Sequence, residues 1–163
     1  MKNKVSTLAI SRKAHFDFDR EVDLERDLAS DSTSSYEQTS FMIVEDDVAT
    51  SKFIKHAIKK SVNNPVKIRS FNTADKACEY IYSLKEFNLP GPDVAIIDYI
   101  LTSNNEGIWL CDLLKKRFPE THVILMLSFS SDQMREIIER SETKPLFIQK
   151  PFEVDTLKKF LFN

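Results

Sequence analysis

The chain has 163 residues, of which 42% are hydrophobic and 29% charged, a composition typical of a soluble globular protein. Its net charge of −2 gives no overall electrostatic case for direct binding of nucleic acid, and no apolar run approaches the roughly 20 residues needed to span a membrane. Cys78 and Cys111 lack the spacing of a zinc site or a disulfide framework, so we expect a reducing, cytoplasmic location. The sequence also contains no Gly-rich motif for a dinucleotide or P-loop phosphate site.

The first 40 residues differ in composition from the rest and form a predicted acidic N-terminal extension. Residues 29–40, ASDSTSSYEQTS, are rich in serine and threonine and are interpreted as a linker. The preceding stretch FDFDREVDLERDL, residues 16–28, has acids at every second position from 17 to 27. This period of two fits an extended segment that pairs with a sheet edge or a partner. Because Asp and Glu are poor strand residues, however, a disordered arm or a frayed helix is the favoured interpretation, and the extended segment is the alternative. Residues 41–163 are the predicted folded domain.

From residue 41 onward, short apolar runs alternate with helix-like segments. The runs are typical of strands and cover residues 41–44, 66–71, 93–98, 121–128 and 146–149. Apolar residues at helical spacing predict helices near 48–61, 73–87, 107–118, 131–140 and 153–161, the first with Asp47 as its N-cap. Five strands that alternate with five helices predict an α/β fold, a doubly wound parallel sheet with helices on both faces.

Chemically distinctive residues stand where the strands end. They are Glu45 and Asp46 after the first strand, Asp98 after the third, Ser128 after the fourth and Lys150 after the fifth. Right-handed crossovers place the carboxyl ends of parallel strands along one edge, so we expect these side chains to meet. Clustered carboxylates repel one another unless a cation lies among them, and Mg²⁺ prefers such oxygen ligands. An ammonium and a hydroxyl can hold phosphoryl oxygens, and a carboxylate can attack phosphorus to give an acyl phosphate.

In these positions, residues 41–163 resemble the receiver domain of two-component response regulators. The family has an acidic pair after the first strand, a phosphorylated Asp after the third, Ser or Thr after the fourth and Lys-Pro after the fifth, all of which are present here. The resemblance implies a flavodoxin-like (βα)5 fold with strand order 2-1-3-4-5. It also implies that Asp98 accepts a phosphoryl group from a sensor histidine kinase or a histidine phosphotransfer protein. Such a protein is no enzyme beyond its own phosphoryl transfer and autodephosphorylation.

The same resemblance assigns roles to the other residues. Glu45, Asp46, Asp98 and the backbone carbonyl of Ile100 would form the Mg²⁺ site. Lys150 and Ser128 would bind the phosphoryl group, Phe147 stands at the family's aromatic switch position, and the bond before Pro151 would be cis. Phosphorylation would shift the population between two packings and be read by a downstream protein or a second copy on the fourth helix, fifth strand and fifth helix.

Three positions depart from the family's pattern. Thr102 replaces a usual Pro, Gly107 comes one residue late after Asp98, and Phe129 is bulky where the family usually has a small residue. The bulky Phe129 would shield the site from water, and Ile100 is apolar where the family often has a polar residue that positions the water. We therefore expect a slowly hydrolysing acyl phosphate. An alternative is a pseudo-receiver that acts as a phosphorylation-independent binding or dimerisation module. A hydrolase of the haloacid dehalogenase type is disfavoured because that family needs a second Asp where Ile100 stands.

Overall fold

The structure, a computed structural model, describes residues 38–101, 106–128, 135–137, 139 and 141–162. Strands β1 (Thr39–Val44), β2 (Val66–Phe71), β3 (Val94–Asp98), β4 (His122–Leu127) and β5 (Leu146–Gln149) alternate with helices α1 (Val48–Ser61), α2 (Ala74–Glu86) and α3 (Glu106–Arg117). The C-terminal helix covers Val154–Leu161, and residues 135–137 and 139, inside the fourth predicted helix, are helical as well. Every element described in full agrees with its predicted boundaries to within two residues.

Some predictions lie outside the described residues. They concern the N-terminal extension up to residue 37, the substitution at Thr102 and the bulky Phe129. The predicted domain boundary at residue 41 falls two residues after β1 begins at Thr39, because Thr39 and Ser40 pair with Val66 and Lys67 of β2.

The five strands form one parallel sheet in the order β2-β1-β3-β4-β5, which confirms the predicted doubly wound fold. The register aligns the carboxyl ends of the strands. Val44 lies opposite Ile97, and Leu127 lies opposite Gln149. As a result, the residues that follow the central strands emerge side by side along one edge of the sheet.

The central strands are buried on both faces, which explains their continuous apolar sequences. Alternate residues of β1 point to opposite sides, so Met42 and Val44 contribute to one core and Phe41 and Ile43 to the other. Helices α2 and α3 cover the first core, whereas α1 and the C-terminal helix cover the second. This double burial holds the backbone of β1 and β3 rigidly beneath the side chains at the carboxyl edge.

Local capping sets where the helices begin. The side chain of Asp47 accepts a hydrogen bond of 2.7 Å from the Thr50 backbone N–H, which confirms it as the N-cap of α1. Thr73 caps α2 in the same way through the Lys76 N–H. Because Asp47 starts α1 only three residues after β1 ends, the first turn of α1 lies beside the strand end that carries Glu45 and Asp46.

Candidate functional site

An ion-paired cluster occupies the carboxyl edge of β1, β3 and β5. The Lys150 ammonium donates a hydrogen bond of 2.8 Å to Oδ2 of Asp98 and one of 3.2 Å to Oε2 of Glu45. These three residues come from three different strand ends, and the parallel register brings them together. The prediction that residues far apart in the sequence meet at one edge is therefore correct for this trio.

Burial and charge change the proton affinity of this cluster. Glu45 and Asp98 are 3% and 6% exposed. Burial is the main cause that raises the pKa of Glu45, and the nearby charge of Asp98 adds to it, against the hydrogen bond from the Asp47 N–H and the ammonium of Lys150. For Lys150, burial works to lower the pKa, but the hydrogen bond with Asp98 and the charges of both carboxylates outweigh it and raise the pKa. Lys150 is therefore held as an ammonium.

Three carboxylates are gathered at this edge. Glu45, Asp46 and Asp98 each offer an oxygen, and these oxygens all lie within 4.8 Å of one another. Asp46 is exposed, whereas the other two are buried. Because three carboxylate oxygens lie this close together, and because oxygen donors of this kind suit a hard divalent cation, the residues present fit Mg²⁺. Asp47, the third acid in the sequence, is instead the N-cap of α1.

A cavity of about 650 Å³ opens beside the cluster and contains the predicted hydroxyl. Ser128 and Lys150 both line it, as do Pro151 and Phe152 after β5 and Ala49, Thr50 and Phe53 from the first two turns of α1. Ser128 is exposed and follows Leu127, opposite the strand that leads to Lys150. The Lys150–Pro151 bond is cis, as the resemblance implies.

Two predicted site residues lie near this edge, but their contacts do not define a role. Ile100 lies just after β3 and is 37% exposed. Phe147 is on β5 opposite Leu125 and is 40% exposed, so its ring faces outward rather than into the core. The carbonyl of Ile100 as a metal ligand and Phe147 as a switch both stay predictions.

Comparison with known proteins gives the family. Residues 41–162 match the sequence profile described as the response regulator receiver domain, and this match covers well over half of the chain. The chain belongs to the response regulator receiver family. A comparison with curated proteins gave no match.

Solved receiver domains share the fold of this receiver. The BeF3-activated receiver domain of DrrB, an OmpR/PhoB homologue of Thermotoga maritima, is 21% identical with a TM-score of 0.58 over 77% of this chain and 99% of that one. The signal receiver domain of the DNA-binding response regulator merR from Colwellia psychrerythraea 34H is 20% identical, with a TM-score of 0.59 over 76% of this chain and 94% of that one. The receiver domain of an HD domain-containing protein from Pseudomonas fluorescens Pf-5 is 14% identical, with a TM-score of 0.63 over 80% and 89%.

The structure of this receiver also shows a contact that sequence reasoning missed. Gly107 lies against the backbone of the strand end that carries Asp98, where a Cβ on Gly107 would meet the Asp98 carbonyl oxygen and lie 2.7 Å from Cα of Tyr99. Its N–H donates to the Tyr99 carbonyl at 3.1 Å. The scarcity of glycine in the sequence, with one of only two at the start of α3, was the available signal. Among the described residues, no helix has the length and apolar character needed to cross a membrane.

Proposed function

We propose that this chain is the phosphoacceptor of a two-component phosphorelay, phosphorylated on Asp98 by a sensor histidine kinase or a histidine phosphotransfer protein. The observation that supports it best is the position of Asp98 at the end of β3, with the Lys150 ammonium at 2.8 Å and two further acids close by. A buried carboxylate that pairs with an ammonium and lies beside two acids suited to a divalent cation fits phosphoryl transfer, in which negative charge passes through the site.

The transfer is a displacement at phosphorus. One carboxylate oxygen of Asp98 bonds to phosphorus while the bond from phosphorus to the donor's histidine nitrogen breaks, and that nitrogen keeps the electron pair and takes up a proton. Lys150 already donates a hydrogen bond to Asp98, so after the transfer its ammonium can donate to a phosphoryl oxygen instead. Ser128, which lines the same cavity as Lys150, is the proposed second donor to the phosphoryl group.

Mg²⁺ is the proposed cofactor, held by Glu45, Asp46 and Asp98 with the carbonyl of Ile100. When bound, it supplies the positive charge that neutralises clustered carboxylates and phosphoryl oxygens. Glu45 also pairs with Lys150, so it links the acid cluster to the ammonium. A phosphorylated Asp98 is proposed to favour the packing with Phe147 turned inward, which alters the surface that includes β5 and the C-terminal helix for a downstream protein or a second copy.

Incubation with acetyl phosphate and Mg²⁺, followed by mass spectrometry, tests the proposal. We expect a gain of one phosphoryl group in the unmodified chain and none in Asp98→Asn. Asp93→Asn is the matched control, because Asp93 directly precedes the same strand at its opposite end, and it should be phosphorylated like the unmodified chain. Phosphorylation that persists in Asp98→Asn would contradict the assignment of the acceptor.

The rival interpretation is a pseudo-receiver that binds partners without phosphorylation. A titration with beryllofluoride and Mg²⁺, followed by NMR, separates the two, because beryllofluoride imitates a phosphoryl group on a carboxylate. Binding with chemical-shift changes around Asp98 and Lys150 favours the phosphoacceptor, and their absence favours the pseudo-receiver. If the phosphoryl group binds, the exposed apolar Ile100 and the bulky Phe129 lead us to expect slow hydrolysis, and a half-life of only seconds would contradict that.

A further inference from the structure

Helix α1 has an unusual charge. Its sequence VATSKFIKHAIKKS contains four lysines, Lys52, Lys55, Lys59 and Lys60, and no acid, in a chain whose net charge is −2. Helices α2 and α3 and the C-terminal helix each mix acids with bases. The positive charge of α1 is therefore a local feature that the overall composition hides.

The lysines of α1 share one face, which we call the basic stripe. Their helical spacing places them, with His56, on the side opposite the buried Ile54 and Ile58. Lys52, Lys59 and Lys60 are exposed and Lys55 is half-buried. In the part of the chain that the structure describes, none of these four ammonium groups pairs with a carboxylate.

Local helix energetics explain only half of the stripe. Lys59 and Lys60 lie in the last turn, where positive charge stabilises a helix through its dipole. Lys52 and Lys55 lie nearer the amino end and in the middle, where they gain nothing from the dipole, and like charges at helical spacing repel one another. An unpaired face of this kind is consistent with a surface that binds an acidic partner.

The basic stripe continues from the opening of the candidate site. Ala49, Thr50 and Phe53 of α1 form one wall of the cavity that contains Ser128 and Lys150, and the ring centroid of Phe53 lies 5.8 Å from that of Phe152 on the other wall. Phe53 is 36% exposed, and Lys52 lies one helical turn after Ala49, so Lys52 flanks this wall of the cavity. A donor that enters this cavity from outside therefore touches α1, with the apolar ring of Phe53 at the opening and the basic stripe beginning at Lys52 on its flank.

We infer that the basic stripe selects the phosphodonor: the protein that phosphorylates Asp98 carries an acidic surface around its phosphohistidine. This rests on the proposed function and adds the chemistry of the partner to it. The lysines attract the acidic surface over a distance of about 10 Å at ordinary ionic strength, and Phe53 makes the short-range apolar contact. Since steering by charge acts on the rate of encounter, the effect should fall as salt is added.

Two synthetic peptides with phosphohistidine provide the test. One has four glutamates around the phosphohistidine and the other has glutamines at the same positions. The rate of phosphoryl transfer to Asp98 is measured for both, at low and high salt, with phosphoramidate as the small donor that lacks any peptide. The variants are Lys52→Glu/Lys55→Glu, the milder Lys52→Gln/Lys55→Gln, and the control Lys76→Glu/Lys116→Glu, which changes two exposed lysines on the helices covering the other face of the sheet.

We expect the acidic peptide to react about 10-fold faster than the glutamine peptide with the unmodified chain at low salt, in line with charge-steered encounters. High salt and Lys52→Glu/Lys55→Glu should abolish this preference, Lys52→Gln/Lys55→Gln should weaken it, and Lys76→Glu/Lys116→Glu should keep it. Equal rates for the two peptides, or equal loss in the control, would overturn the inference.

If the proposed function is wrong, phosphoramidate itself will not phosphorylate Asp98. This result distinguishes failure of the proposed function from failure of the inference about the partner. Two other polyanions, duplex DNA and vesicles of phosphatidylglycerol, are tested as alternative partners of the basic stripe. If either binds the unmodified chain in a manner that Lys52→Glu/Lys55→Glu abolishes, while the peptides react equally, then the basic stripe serves that polyanion and the inference is wrong.

Discussion

Strand β3 has an aspartate at each end, Asp93 directly before it and Asp98 as its last residue. Asp93 is exposed, and its Oδ2 accepts hydrogen bonds of 2.7 Å from both the backbone N–H and the hydroxyl of Ser40, at the start of β1. Asp98 is buried, and its partner is the ammonium at the end of the flexible Lys150 side chain. The same residue type thus has neutral donors close to the backbone at one end and a movable charge at the other.

This difference separates carboxylates that hold the fold together from carboxylates that are available for chemistry. Asp93 accepts the hydrogen bonds that join β3 to β1. In the same way, Asp47 accepts a hydrogen bond from the Thr50 N–H, and Asp112 accepts hydrogen bonds from the hydroxyls of Ser141 and Thr143. At the carboxyl edge, Glu45 and Asp98 share the ammonium of Lys150, and an oxygen of Asp46 lies within 4.8 Å of theirs, so negative charge is concentrated there. A cation or an incoming phosphoryl group can replace the partners of these acids without breaking a backbone hydrogen bond that joins two strands.

The two glycines test this difference, because Gly107 packs closely near the Asp98 end of β3 and Gly91 near the Asp93 end. Gly107→Ala would place a Cβ against the backbone of Asp98 and Tyr99, which cannot swing aside, so we expect a loss of about 2 kcal/mol in the free energy of unfolding. The displaced backbone should also slow phosphorylation of Asp98 about tenfold or more. Urea denaturation and the acetyl phosphate assay measure the two effects.

Gly91→Ala is the matched control. Its Cβ would lie 2.7 Å from Cβ of Phe118, so it should also destabilise the protein, by roughly 1–3 kcal/mol. Gly91 is near Asp93 and away from the cluster, and the phosphorylation rate should therefore stay unchanged. If both variants slow phosphorylation equally, the loss reflects general destabilisation, and the two edges do not differ in the way described.

A second, smaller effect distinguishes two adjacent acids. Mg²⁺ at ten times its dissociation constant should stabilise the unmodified chain by about 1.4 kcal/mol, since it binds the folded form. Asp46→Asn replaces a charged carboxylate of the cluster by a neutral amide, a weaker ligand for Mg²⁺, and should reduce this gain, whereas Asp47→Asn retains a good N-cap and should keep it. Thermal unfolding with and without Mg²⁺ measures the difference. Equal gains in both variants would show that the cluster is not the binding site.

Much of this arrangement could be predicted from the sequence because it follows from strand order. Once the apolar runs were interpreted as parallel strands, the residues after them had to lie along one edge, and Asp98 and Lys150 do so. The cap at Asp47 was predictable for the same local reason, since a helix needs acceptors for its first N–H groups. In each case the chemistry was encoded within a few residues of a strand or helix end.

The remaining features depend on contacts between elements that sequence patterns do not encode. The triplet of acids after β1 gave no indication that Glu45 is buried and paired with Lys150 while Asp46 is exposed. Nor could it show that Phe53 and Phe152 form opposite walls of a cavity, because that depends on how α1 lies beside the segment after β5. Such side-chain environments become visible only when the helices are docked on the sheet.

The smallest expected effect concerns the proton on Glu45. Because its pKa is higher in the folded chain than the ordinary 4.5, the folded protein binds more protons, and this group's contribution to stability is present below pH 4.5 and lost as the pH rises through the folded pKa. Glu45→Gln cannot titrate, but its carbonyl oxygen can still accept from the Asp47 N–H.

In metal-free buffer, the free energy of unfolding of the unmodified chain, relative to Glu45→Gln, should therefore fall between pH 4.5 and pH 7. Urea denaturation across this range measures the difference, and Glu86→Gln gives the reference for an exposed glutamate. A difference that rises with pH would mean that pairing with Lys150 outweighs burial. Glu45 would then be a fastened carboxylate of the same kind as Asp93, and only Asp46 and Asp98 would remain available to a cation.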